Sequence, residues 1–200
     1  MAPPPAPVFS VPSGNFGNIC AGILAWKSGL PVTHFKAACN VNDVVPVYLQ
    51  SGHYQPVKAR ANISNAMDVG DPSNFVRIMQ TIGQSFPLVS ELLSSYSISD
   101  AETMETIARV YREHNYLLDP HGAVGYAAFE KYLEMHQGAK GIVLETAHPV
   151  KFPESVEKAT GIKINIPSQA GKIMELNKKS THLEPKYTVL KDLLLQTEVQ

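Results

Sequence analysis

Several features are scarce or missing in this 200-residue sequence, and each absence closes off a class of protein. Only two cysteines occur, Cys20 and Cys39, nineteen positions apart, too few for a disulfide framework and wrongly spaced for a zinc knuckle. A reducing cytoplasm is therefore the expected compartment. None of the seven histidines forms an H-x-x-x-H pair, so no metal site is expected. Apolar runs such as Ile23 to Trp26 and Tyr126 to Phe129 fall far short of the roughly 20 residues that cross a bilayer. Neither charge prevails: seventeen Lys+Arg face eighteen Asp+Glu, for a net charge of -1. That balance provides no basic field for nucleic acid and no polybasic face for an anionic membrane, leaving a small molecule or another protein as the expected partner. Residues 1–7, Met-Ala-Pro-Pro-Pro-Ala-Pro, carry no charged side chain and no apolar core, which fits a proline-rich leader better than a signal or transit peptide.

With 44% apolar and 18% charged residues, the rest has the composition of an ordinary globular domain. Val8 to Val11 form a β-branched and aromatic run that ends at Pro12, and a polar, glycine-bearing turn from Ser13 to Asn18 follows. Ile19, Ile23 and Trp26 then repeat at helical intervals up to Ser28, with Gly29 and Pro31 as the stop. Val32 to Ala38 predicts a second strand, so residues 8–38 have the order of a β-α-β unit and favour an α/β fold, a parallel sheet flanked by helices. Further helices are expected over Val44 to Gln50, from Phe75 to Ile82, and over Leu88 to Leu93. Ser99-Asp100-Ala101-Glu102 has the pattern of a capping box, opening a helix through Ile107, Val110 and His114. Asp119-Pro120-His121-Gly122 leads into a helix from about Ala123 to His136. A strand is expected at Ile142 to Leu144, a helix over Pro153 to Thr160, a strand over Ile162 to Ile166, and a last helix over Leu190 to Leu195.

In a parallel sheet, ligands gather beyond the carboxyl ends of the strands, where two polar loops fall: Ser13 to Asn18 and Thr146 to His148. Gly14 and Gly17 let backbone approach a ligand closely, and successive amides ahead of a helix present partial positive charge to an anion. A strand–glycine–helix turn also serves any chain that must reverse sharply, so residue types alone leave both readings open. Gly14-Asn15-Phe16-Gly17 is not G-x-G-x-x-G, and no Gly-Lys-Ser/Thr follows, which makes a nucleotide the lesser candidate.

The segment Val11-Pro12-Ser13-Gly14-Asn15-Phe16-Gly17-Asn18 resembles the cofactor-phosphate loop of threonine synthases, pyridoxal-phosphate enzymes of the tryptophan-synthase-like fold, fold type II. Further segments resemble the family in the family's order: Ala38 to Pro46, Ser64 to Val69, Asp71 to Asn74, Asp119 to His121, and Thr146 to Phe152. The resemblance implies that O-phospho-L-homoserine and water are converted to L-threonine and phosphate with pyridoxal 5'-phosphate. It implies that Ser13, Gly14, Asn15, Phe16, Gly17 and Asn18 hold the cofactor phosphate, and that Thr146 offers its hydroxyl to the pyridine nitrogen. Thr146 also suits a strand-end hydroxyl that satisfies local backbone. Asp119 and His121 suit either an acid near the pocket or a plain helix cap, and Asn40, Asn42 and Asp43 suit a turn that caps a helix. None of these is assigned a catalytic role.

In the family the cofactor-bearing lysine lies upstream of the phosphate loop, and no lysine of this sequence sits in a matching context. The expectation is a C-terminal portion, residues 8–200, of a threonine synthase catalytic domain, inactive alone and in need of the N-terminal half or of self-association. The alternative is a non-catalytic remnant that binds a phosphorylated metabolite or a partner protein through the surviving loop.

Overall fold

Val8–Pro12 (β1) is apolar and β-branched and lies at the centre of a parallel sheet, with Gly17–Lys27 (α1) carrying the chain across to His34–Cys39 (β2). The computed structural model describes residues 6–196, so Met1 to Pro5 of the expected leader lie outside the described residues. After β2 come Val44–Ser51 (α2), Phe75–Thr81 (α3), Phe86–Leu92 (α4) and Leu93–Ser97 (β3). Asp100–His114 (α5), Pro120–Met135 (α6), Gly141–Val143 (β4) and Pro153–Thr160 (α7) follow. The strand order is β3-β2-β1-β4, every pair parallel, which is the α/β class that the sequence leads one to expect.

Strand alternation divides the core. Phe35, Ala37 and Cys39 of β2 join a large cluster with Ile19 and Ile23 of α1 and Phe75 and Ile78 of α3. Ala38, between them in sequence, points to the other face and packs with Val124, Ala127 and Ala128 of α6. The Ser10 hydroxyl on β1 donates to the Gly125 carbonyl at 2.7 Å, so α6 is fastened to the sheet by a buried hydrogen bond as well as by apolar packing.

The expected capping box is present: the Glu102 amide donates to Ser99 Oγ and the Ser99 amide donates to the Glu102 carboxylate. Lys131 holds the second Glu102 oxygen at 2.7 Å. Replacing Ser99 with Ala should cost about 1 kcal/mol, read as a lowered midpoint of urea unfolding with an unchanged slope.

Up to Ile166, two elements differ in kind from the sequence expectation. Leu93–Ser97 is a strand that the reading missed, since it follows α4 without a breaker and only Leu93 and Tyr96 are large side chains. Conversely, Ile162 to Ile166 is not a strand. Its alternation imitates one, but the Ile164 amide donates to the Glu157 carboxylate at 3.1 Å and Ile164 packs against the α5–α7 cluster, which ties the segment to α7 and away from the sheet.

From Asn165 onward the chain forms a second compact unit. It contains Ser168–Met174 (α8) and Tyr187–Gln196 (α9), the latter extending the expected terminal helix by three residues at its start. No helix among the described residues is long and apolar enough to cross a membrane.

Candidate cofactor site

β1 and β4 are neighbours and run the same way, with Val8, Phe9 and Ser10 opposite Gly141, Ile142 and Val143. The loops at their carboxyl ends, Ser13 to Asn18 and Glu145 to His148, therefore leave the sheet side by side, about 4.8 Å apart at the strands.

The first loop is held from beneath. The Ser13 amide donates to the Ala38 carbonyl at 2.8 Å, its hydroxyl donates to Val11 O at 2.8 Å, and the residue is buried. Gly14 lies so close to the Asn65–Met67 turn that a Cβ there would sit 2.5 Å from Met67 Cα. Asn15 is exposed, but its carboxamide oxygen accepts from the Ser73 amide at 2.7 Å and its carbonyl accepts from Asn74 Nδ2 at 2.9 Å. Phe16 adopts a left-handed conformation, φ 59°, and buries its ring edge-on against Phe75 at 5.7 Å. Only its backbone is thus free to face a ligand. Gly17 and Asn18, both exposed, open α1, which has no side-chain cap and no acidic residue in its first turn. Its leading amides have no partner within the helix and form an anion-binding end.

The turn beneath Gly14 is fixed by a half-buried amide network. Asn40 Nδ2 donates to Asp68 Oδ1 at 3.1 Å, Asn42 Nδ2 donates to the same oxygen at 3.2 Å, and Asn62 Nδ2 completes the set. Asn40 and Asn42 thus anchor residues 60–68 under the loop, while Asp43 at the start of α2 makes no side-chain cap hydrogen bond. The sequence flags these segments as family-like but offers no sign that they converge.

Thr146 is exposed at the mouth of the second loop. Just before it, the Glu145 carboxyl lies over Gly122, where an added Cβ would collide with Oε1. Asp119 caps α6, accepting from the amides of His121 at 2.9 Å and Gly122 at 3.3 Å. It also accepts from His121 Nδ1 at 2.6 Å, while His121 Nε2 accepts from the Ala66 amide at 3.2 Å. Both ring nitrogens are spent, so the imidazole serves structure and ties α6 to the turn under the loop.

Burial alone would raise the Asp119 pKa, but the hydrogen bonds from His121 and Glu145 outweigh it and hold the carboxylate below its ordinary range. Partial burial of its carboxyl over Gly122, with Asp119 beside it, raises the pKa of Glu145 to about 9, although the residue as a whole is exposed. A carboxyl raised in the folded state contributes stability that is full below its unfolded value and lost as pH rises through the folded one. Stability from Glu145 should therefore decline between about pH 4.5 and about pH 9. Glu145→Gln should flatten that decline, making the variant the more stable of the two at pH 8 but not at pH 4, as read from thermal midpoints across pH.

These loops and strands are those of a known class of enzyme. The pyridoxal-phosphate dependent enzyme family model matches residues 1–147, and the model for the C-terminal part of threonine synthase matches residues 122–194. The chain belongs to the pyridoxal-phosphate dependent enzyme family. Within it, the similarity is to threonine synthases. That of Haemophilus influenzae is 40% identical over 190 residues, covering 95% of this chain and 44% of the relative. The crystal structure of Escherichia coli threonine synthase superposes with TM-score 0.86 at 37% identity, covering 97% of this chain and 44% of that one. The pyridoxal-phosphate-bound enzyme from Brucella melitensis gives TM-score 0.83 at 31% identity, covering 98% and 47%. The chain thus spans a little under half the length of the relatives it matches, and carries that share of a fold-type II architecture.

Proposed function

We propose that this chain supplies the phosphate-binding and ring-nitrogen side of a threonine synthase centre, a lyase acting in the cytoplasm on O-phospho-L-homoserine and water to give L-threonine and phosphate. The observation that supports the reading is that the uncapped helix start at Gly17 and the loop carrying Thr146 follow the carboxyl ends of two neighbouring parallel strands.

The residues fit the cofactor's two polar ends. The amides at Gly17 and Asn18 suit a phosphate, the Ser13 hydroxyl shapes the loop through its bond to Val11 O, and the exposed Thr146 hydroxyl suits a hydrogen bond to a neutral ring nitrogen. Pyridoxal phosphate, when bound, supplies the electron sink for breaking bonds at the substrate's carbons. The protein's share is orientation: the network through Asn40, Asn42 and Asp68 sets the floor of the loop, and the Asp119–Glu145 pair sets the start of the second.

Carrying the cofactor and moving protons at carbon need a lysine amine. Lys151 is exposed on the Pro149–Lys151 turn and Lys36 lies on the sheet face against α6, so neither is placed at the phosphate loop. We therefore expect no turnover by the chain alone, and activity only with a polypeptide carrying the remaining part of the fold.

The test is titration of the purified chain with pyridoxal phosphate, followed by borohydride reduction and mass mapping, with phosphate release from O-phosphohomoserine as the activity readout. Binding competed by inorganic phosphate, without a single trapped lysine and without turnover, is expected. Turnover by the chain alone with one trapped lysine overturns the expectation of inactivity. Binding that persists without turnover even when the missing part of the fold is added favours the non-catalytic remnant.

A further inference from the structure

The opposite end of the sheet carries a feature that the cofactor reading does not use. Lys36, on the central strand β2, is only 2% exposed. Among the described residues it makes no ion pair. Its Nζ lies 3.9 Å from the ring centre of Tyr96 and 5.2 Å from that of Tyr132. It borders a cavity of about 350 Å3 at the amino ends of β2 and β3, lined also by His34, Glu91, Tyr96, Tyr132 and His136.

We propose that Lys36 is an amine nucleophile in this cavity that forms an imine with a small, uncharged aldehyde. The free amine attacks the carbonyl carbon, and the carbinolamine then loses the carbonyl oxygen with the two amine protons as water, leaving C=N. No redox partner is needed. The two tyrosine faces hold the nitrogen in one place, and burial pushes its pKa down to about 8. The free-amine share at neutral pH is then on the order of a hundredfold above that of an exposed lysine.

The lining selects against anions. Glu91 contributes its backbone carbonyl, and the carbonyl end of α6 at Tyr132 to His136 adds negative partial charge. His34 has no donor to spare: Nδ1 donates to Glu91 O, Nε2 accepts from the Ser94 hydroxyl, and burial drives its pKa down to about 4. His136 Nδ1 donates to Tyr132 O. A phosphorylated aldehyde such as the cofactor is therefore a poor fit, which makes this site independent of the one at Gly17.

The test is reductive labelling of the 200-residue chain with acetaldehyde and cyanoborohydride near pH 7.5, with peptide mapping over time. Lys36 should be labelled at least about tenfold faster than exposed Lys151, and the preference should vanish when pyridoxal phosphate replaces acetaldehyde. Labelling of Lys36 no faster than Lys151 overturns the proposal, and an equal preference with pyridoxal phosphate overturns the class of ligand. Lys36→Arg should remove the fast phase; mapping of the unaltered chain decides the question even if that variant fails to fold.

Discussion

Asp119→Ala should destabilise the protein by at least about 1–3 kcal/mol, the range for leaving a buried donor without its acceptor. Asp119 is fully buried and accepts from the His121 amide, His121 Nδ1 and the Gly122 amide. Truncation strands all three donors at the start of α6 and loosens the link from His121 to the Ala66 amide. The pH profile carries a second signature. A carboxylate depressed in the folded state contributes stability above its unfolded value near pH 4 and loses it as pH falls through the folded one. The variant should therefore lose less than the parent in acid. It should also show a shallower decline towards pH 9, since Asp119, after burial, is a cause of the raised Glu145 carboxyl. Urea unfolding at pH 3, 6 and 9 reads both effects.

Gly14→Ala should act directly on the loop from Ser13 to Asn18. Gly14 does not have a positive φ, so the constraint is space: the added methyl would meet Met67 Cα at 2.5 Å and Ala66 O at 3.1 Å. Backbone on both sides leaves no flexible side chain to yield, so either the loop lifts or the Asn65–Met67 turn sinks into the amide network below it. The expected cost is about 1–3 kcal/mol in unfolding free energy, and weakening of phosphate binding on the order of tenfold, measured by 31P titration. Unchanged stability would show that the turn is not the floor of the loop.

The site was legible in sequence where chemistry and local pattern coincide. Glycine and asparagine between a β-branched run and an apolar helical repeat marked the β1–α1 loop, and the structure puts a strand and a helix on either side within two residues of the expected ends. Ser99 and Glu102 marked the start of α5 in the same way. The less legible parts depend on contacts distant along the chain. Asn40, Asn42, Asn62 and Asp68 look like separate turn residues until folding brings them onto one carboxylate. His121 looks like a free imidazole until its two nitrogens meet Asp119 and Ala66. β3 was missed and Ile162 to Ile166 misread for one reason: strand identity depends on having a neighbouring strand, and alternation alone does not supply one.

The order of the strands also has a bearing on assembly. β1, β2 and β3 follow one another across the sheet, but β4 pairs back onto β1, bringing Val143 against Ser10. Emerging from the ribosome, the chain can set the floor and glycine loop of the cofactor site while the strand that delivers Thr146 is still unsynthesised. Closing that long loop carries an entropic cost that grows only with the logarithm of its length, so the delay is one of timing more than of energy. The loop from Ser13 to Asn18 is ready first, and the loop that carries Thr146 joins it when β4 docks.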